Sequence, residues 1–178
     1  MTWLVRGLTA LVVVGFVYAL WALTTGRTIE NRASVEIAQP VDVVFPYLTE
    51  HDRIPLWLDD VVESRSLTGP GTFVGARSTH VIEVDGQRQE LERKVTEYQE
   101  NALLAVRIKS DLMTANNRYR VSPVAGGTRI DYDSVTKARG WVSILAPFFR
   151  APIQENLEAD LARLKQILED PSSSPATG

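Results

Sequence analysis

The sequence contains no cysteine, which excludes a disulfide framework, a thiolate metal centre and a cysteine nucleophile. Histidine is nearly absent too, with only His51 and His80. A zinc site would need both rings to converge with carboxylates, and the first follows a helical stretch while the second lies on a strand. No metal and no cofactor is therefore expected. Neither histidine has a partner at a spacing that makes a general base, and no nucleophile-elbow sequence surrounds any serine. The glycines at 69, 71 and 75 are followed by no Gly-Lys-Ser/Thr, so they mark a strand turn and not a phosphate loop. A basic excess is also missing. Lys plus Arg is 19 against 22 for Asp plus Glu, a net charge of −3, and every acid lies beyond Arg27. Nucleic acid is not an expected partner.

What is present is a concentrated apolar run. Residues 8–23 read LTALVVVGFVYALWAL, without a charge. Extended to residues 3–25, the segment reaches the roughly 20 residues that cross a bilayer core. Trp3, Tyr18 and Trp21 stand towards its ends, where amphipathic rings favour the interface, and Arg6 can snorkel outward. A cleaved signal would need small residues at a cleavage site, and Ala22-Leu23-Thr24 is a poor one. Residues 1–27 are accordingly expected to form a retained single-pass anchor, with the domain on the extracytoplasmic side. Residues 26–32 read as a linker that reaches roughly 25 Å when extended. The domain is thus expected to lie against the membrane.

Beyond the anchor the pattern alternates with period two over residues 33–37, a half-buried strand. Pro40 opens a helical stretch over 41–50, bent by Pro46, and a second short helix covers 54–58. Six strand-like segments follow, at 61–67, 73–84, 87–98, 103–110, 114–124 and 128–137. Asp85-Gly86 between the second and third is the strongest hairpin signal in the chain. Ile153, Leu157, Leu161, Leu164 and Leu168 then make one apolar helical stripe. Pro147 and Pro152 interrupt the approach to it, and residues 171–178 read as a disordered tail. An antiparallel sheet with one apolar face needs a cover, and the last helix is the only element long enough. The fold class is α+β: a curved antiparallel sheet in the order β-α-α-β6-α around a long C-terminal helix, over residues 28–170.

The segments SVEIAQPVDVVFPYLTEHDRIPLW, GPGTFVGA, VTEYQENALLAV and GGTRIDYDS, with Pro40, Phe45 and Trp57 in the first, carry a family likeness. Residues 33–168 resemble the START-like, helix-grip superfamily of the birch pollen allergen, which includes polyketide cyclase/dehydrase and lipid transport proteins. The resemblance implies the helix-grip fold and a space between sheet and helix. It does not license one activity.

By alternation Leu104, Val106, Ile108, Tyr119, Val121, Ile130, Tyr132 and Ser134 face inward, and with Trp57 they are the expected lining of a ligand cavity. Such a lining suits a hydrophobic molecule oriented by a few polar groups. Arg77 and Arg93 are candidate polar anchors for a carboxylate or phosphate. Residues 139–149 crowd Trp141, Ile144, Leu145, Phe148 and Phe149 together, and Trp141, Leu145, Phe148 and Phe149 are expected at the cavity mouth. The function read from these residues is a membrane-anchored binding or transfer module for a hydrophobic small molecule or lipid. A cyclase/dehydratase-type enzyme in the same cavity, or a non-catalytic interaction module of a membrane complex, are the alternatives.

Overall fold

Hydrophobic alternation along seven segments builds a single antiparallel sheet whose strands pair in the order β1-β7-β6-β5-β4-β3-β2. The computed structural model describes residues 6, 9, 12–18, 27–84 and 86–170. The strands are β1 (Arg27–Ile37), β2 (Val61–Ser66), β3 (Arg77–Val84), β4 (Gln87–Gln99), β5 (Leu103–Lys109), β6 (Met113–Val124) and β7 (Gly127–Ala138). Between β1 and β2 lie three one-turn helices, α1 (Val41–Val44), α2 (Pro46–Thr49) and α3 (Ile54–Trp57), and α4 (Val142–Glu169) closes the chain. Each hairpin neighbour is antiparallel, and β1 crosses back to pair with β7 from Arg27↔Ala138 to Ile37↔Thr128.

Three sequence expectations are corrected here. The expected linker over 26–32 is strand from Arg27 onward, because its backbone finds ladder partners in the last residues of β7. The expected helix over 41–50 is two separate turns, because Pro46 lacks the N–H needed to continue the first. The prolines expected to interrupt the approach to the last helix instead lie within α4, which runs unbroken through Pro147 and Pro152. Most of the expected anchor, residues 3–25, and all of the expected tail, residues 171–178, lie outside the described residues. The continuous described run of the anchor, residues 12–18, is helical, with Val12, Val14 and Phe16 all more than 60% exposed. Among the described residues no helix is long and apolar enough to cross a membrane.

The core fills the concave side of the sheet. Ile37, Val44, Phe45, Leu48, Trp57, Val95, Leu104, Val121 and Ile130 meet Leu157, Leu161, Leu164 and Leu168 of α4. That helix lies chiefly along β1 and also touches α3 and β7. Polar ties along its length help to set its place. The buried Asn31 side chain donates to the Arg150 carbonyl at 3.2 Å and to Gln154 Oε1 at 3.0 Å. Asp160 Oδ1 accepts from the Asp59 backbone N–H at 3.1 Å, joining mid-helix to the end of α3. Gly127, at the start of β7, is required by close approach: a Cβ there would stand 2.0 Å from the Ile37 carbonyl oxygen. The convex face carries cross-strand ion pairs such as Arg77–Glu92 at 3.0 Å and Arg65–Glu90 at 3.2 Å. Exposed pairs of this kind contribute about 1 kcal/mol or less each.

Candidate functional site

Between the sheet, α3 and the middle of α4 the packing leaves a cavity of about 260 Å³. Its apolar walls come from Leu48, Ile54, Trp57, Leu58, Val61, Ile82, Leu91, Val106 and Ile108. Its polar lining is His80, Arg93, Asn117, Tyr119, Tyr132, Asp60 and Asp160. The volume lies just under the usual span of ligand pockets, about 300–1,000 Å³. A single ring system or a short chain fits it, or one end of something longer.

Strand register concentrates the polar groups. Ser78 pairs with Arg93 and His80 with Leu91, so Ser78, His80 and Arg93 all point to the concave side. Arg93 is 5% exposed. Among the described residues no hydrogen bond or ion pair reaches its guanidinium. Beside it Ser78 Oγ and His80 Nε2 are buried and have no partner among the described residues. Three adjacent inward groups therefore lack partners, where buried polar atoms are ordinarily satisfied. Burial lowers the Arg93 pKa to about 10, with the Tyr119 phenol opposing, so it stays cationic at neutral pH. Burial, then the Arg93 charge, then His51, pull His80 down to about 3. Its ring is neutral, free to accept or donate one hydrogen bond.

The opposite wall is aromatic. Trp57 is locked by its indole N–H, which donates to the Tyr47 carbonyl at 2.9 Å. Its ring meets Tyr119 edge-on at 6.3 Å, and Tyr119 lies 4.5 Å from Tyr132. Burial raises Tyr119 well above its ordinary value and pushes Tyr132 up to about 12. Both remain neutral. Burial also lifts Asp160 to about 6, with the Asp59 N–H bond and Arg163 opposing and Asp60 adding repulsion. The cavity thus holds one fixed cation, neutral hydrogen-bonding groups and two carboxyls, Asp60 and the Asp160 that ionises near neutrality.

Of the residues expected in the cavity, Trp57, Val106, Ile108, Tyr119 and Tyr132 line it. Leu104, Val121 and Ile130 are buried in the core beside it, and Ser134 donates to Asn117 Oδ1 at 2.9 Å. Of the two candidate anchors, Arg93 points inward, while Arg77 is exposed and paired with Glu92. Trp141, Leu145, Phe148 and Phe149 are exposed at the start of α4, and none of them lines the cavity. Ser78, buried beside the cavity, and His80, Asn117, Asp60 and Asp160, which line it, were not among the expected residues. The first two were readable in principle: the Asp85-Gly86 hairpin signal in the sequence implies the β3–β4 pairing that places them beside Arg93. His51 is elsewhere, its Nδ1 2.8 Å from Ser64 Oγ in an open groove. Among the described residues no cluster of three metal-ligating side chains occurs.

A sheet gripping a helix, with a lined space between them, is the arrangement of a known family. The family described as polyketide cyclase/dehydrase and lipid transport matches residues 28–169. The chain belongs to it. Solved structures of like fold include Ara h 8.0201, at 12% identity and TM-score 0.63, covering 81% of this chain and 100% of that one. A Thermus thermophilus protein is 18% identical at TM-score 0.66, covering 82% of this chain and 99% of that one. The di-domain ARO/CYC StfQ of steffimycin biosynthesis is 13% identical at TM-score 0.66, covering 82% of this chain and 52% of that one. At these identities the likeness is one of fold. No curated protein matches the chain.

Proposed function

We propose that this family member is a membrane-anchored binding or transfer module for a small hydrophobic molecule with an acidic or carbonyl end. The observation that carries the reading is Arg93, a buried cation without a partner among the described residues, on the wall of a largely apolar cavity. A buried charge left unpaired is costly. A ligand oxygen placed between the guanidinium, Ser78 Oγ and His80 Nε2 would satisfy all three groups at once. A hydrogen bond to a charged group contributes about 1.5–3 kcal/mol. The apolar body of the ligand would lie against Trp57, Val106 and Ile108, each Å² of buried apolar surface adding about 25 cal/mol. Residues 3–25 would hold the domain at the bilayer as a single pass, with the domain outside the cytosol.

The test is a titration of the full chain in detergent with anilinonaphthalene sulfonate and with neutral anilinonaphthalene. Wild type should prefer the anion, and Arg93→Met should weaken the anion about ten-fold or more while leaving the neutral ring unchanged. Equal affinity of both proteins for the sulfonate would remove Arg93 from the site. Native mass spectrometry of the gently extracted chain should in addition show a co-purifying small acid or lipid.

A further inference from the structure

The first half of α4 is apolar on its covered and uncovered sides alike. Val142, Ala146 and Ile153 pack on Ile29, Ala138 and Leu112. Trp141, Leu145 and Phe148, spaced four and three apart, are 59%, 40% and 76% exposed, with Phe149 beside them. From residue 140 to 154 the single charge is Arg150, and acids return only at Glu155 and Glu158. A helix that is apolar all round belongs in a core or in lipid, and this half is in neither within the domain.

Its charges have an equally uneven arrangement. Arg32, Arg65, Arg77, Arg88, Arg118, Arg120, Arg129 and Arg163 each meet a carboxylate. Arg107 meets Asn116 and Arg93 faces the cavity, while Arg139 and Arg150, which flank the exposed aromatics, meet no carboxylate among the described residues. Arg150 also lines, with Arg27, a groove of about 430 Å³ between β1 and α4. The one acid of that groove, Glu30, lies 3.9 Å from Arg32.

This end of the domain is also where the chain enters it. Arg27 pairs with Ala138, three residues before Trp141, and its guanidinium donates to Tyr18 Oη at 2.9 Å. The apolar helical residues 12–18 therefore leave the domain at the end where the unburied aromatics stand.

We infer that the start of α4 is a membrane-docking face. In this arrangement Trp141, Leu145, Phe148 and Phe149 enter the interfacial zone of a bilayer, and Arg139 and Arg150 meet the phosphates of anionic lipids. Aromatic rings favour that depth, and cations beside an apolar helical face strengthen binding to anionic headgroups. The face is separate from the ligand cavity, since none of these residues lines it. It adds a second contact to the proposed anchor and fixes which end of the domain faces the lipid.

The absence of cysteine makes a clean test. Full chain carrying Phe148→Cys, or Val74→Cys in the exposed β2–β3 loop, is labelled with an environment-sensitive fluorophore. Each is reconstituted into phosphatidylcholine–phosphatidylglycerol vesicles containing a doxyl-labelled lipid quencher. The probe at 148 should lose most of its emission and the probe at 74 almost none. Arg139→Gln with Arg150→Gln should reduce the loss at 148 in anionic vesicles only. Carbonate washing separates this face from the anchor. A chain that resists carbonate while its 148 probe stays unquenched overturns the docking face and leaves the anchor. A chain removed by carbonate whose probe was quenched beforehand supports the face and removes the anchor. A 148 probe shielded from aqueous iodide yet untouched by the lipid quencher has a protein cover, and that result overturns the proposal. Equal quenching in phosphatidylcholine alone, unmoved by the arginine changes, overturns the choice of an anionic surface.

Discussion

Arg93 and His80 share one wall of the cavity, and burial together with the charge of the first keeps the proton off the second. The pair is a cation beside a neutral imidazole, a combination suited to a ligand oxygen. It also gives the domain a signature in acid. The folded pKa of His80, about 3, lies below the ordinary 6.5, so the unfolded chain binds the extra proton first. Stability from this group is complete above about pH 6.5 and falls as pH drops towards 3. Its size is on the order of a few kcal/mol. His80→Gln should flatten the acid limb of a urea-denaturation series taken between pH 7 and pH 4. An unchanged limb would show that the ring already titrates freely in the native state.

The same wall predicts a conflict between stability and binding. Replacing buried ionic groups by apolar side chains of similar volume is often neutral or stabilising by about 1–4 kcal/mol. Arg93→Met should therefore raise the melting temperature or leave it level while weakening anionic ligands. A large fall in melting temperature would mean that the guanidinium has a structural partner.

Asp160 runs in the opposite sense. Its folded pKa, about 6, lies above the ordinary 3.8, so the native state holds the proton more tightly. Stability then rises as pH falls from about 6 towards 4, and the ionised carboxylate is a burden at neutral pH. Asp160→Asn keeps an acceptor for the Asp59 N–H. It should raise the melting temperature at pH 8, with the difference shrinking towards pH 4. A variant less stable than wild type at pH 8 would show that the charge itself holds α4 to α3.

Packing gives two larger effects. Leu161, on α4 and 2% exposed, lies in the main core cluster, and Leu161→Ala should cost about 2–5 kcal/mol in chemical denaturation. Gly127→Ala should also destabilise, since the added carbon would press on the backbone of Ile37. If Gly127→Ala melts with wild type, the β1–β7 junction is looser than the register implies.

Residues 3–25 carry the topological prediction. Full-length protein should stay in the membrane pellet through carbonate washing and retain its first residues. A mature chain beginning near Thr25 would make the segment a cleaved signal and leave the domain to the docking face alone.

The elements themselves were legible in the sequence because alternation and helical spacing are local properties of the chain. Asp85-Gly86 marked the hairpin and the leucines from Leu157 to Leu168 marked the helix that covers the sheet, while Pro46 signalled only a bend where the chain breaks between α1 and α2. Alternation along single strands also turned Tyr119, Tyr132 and Val106 inward. What alternation cannot say is which inward residues meet packing and which meet space. Leu104, Ile130 and Tyr132 obey the same rule, yet α4 leaves only Tyr132 on the cavity, because the line of the helix along β1 is set by contacts distant in sequence. Asn31 with Arg150, and Asp160 with Asp59, are such contacts. The partnerless state of Arg93 is likewise tertiary. Acids abound in the sequence, and only the tertiary structure shows that many pair with arginines on the convex face while the two that line the cavity, Asp60 and Asp160, make no ion pair with Arg93. Periodicity along the chain determined the sheet and its helix, while the strand pairing and the placing of α4 decided where the fold keeps a cavity and which charge faces it.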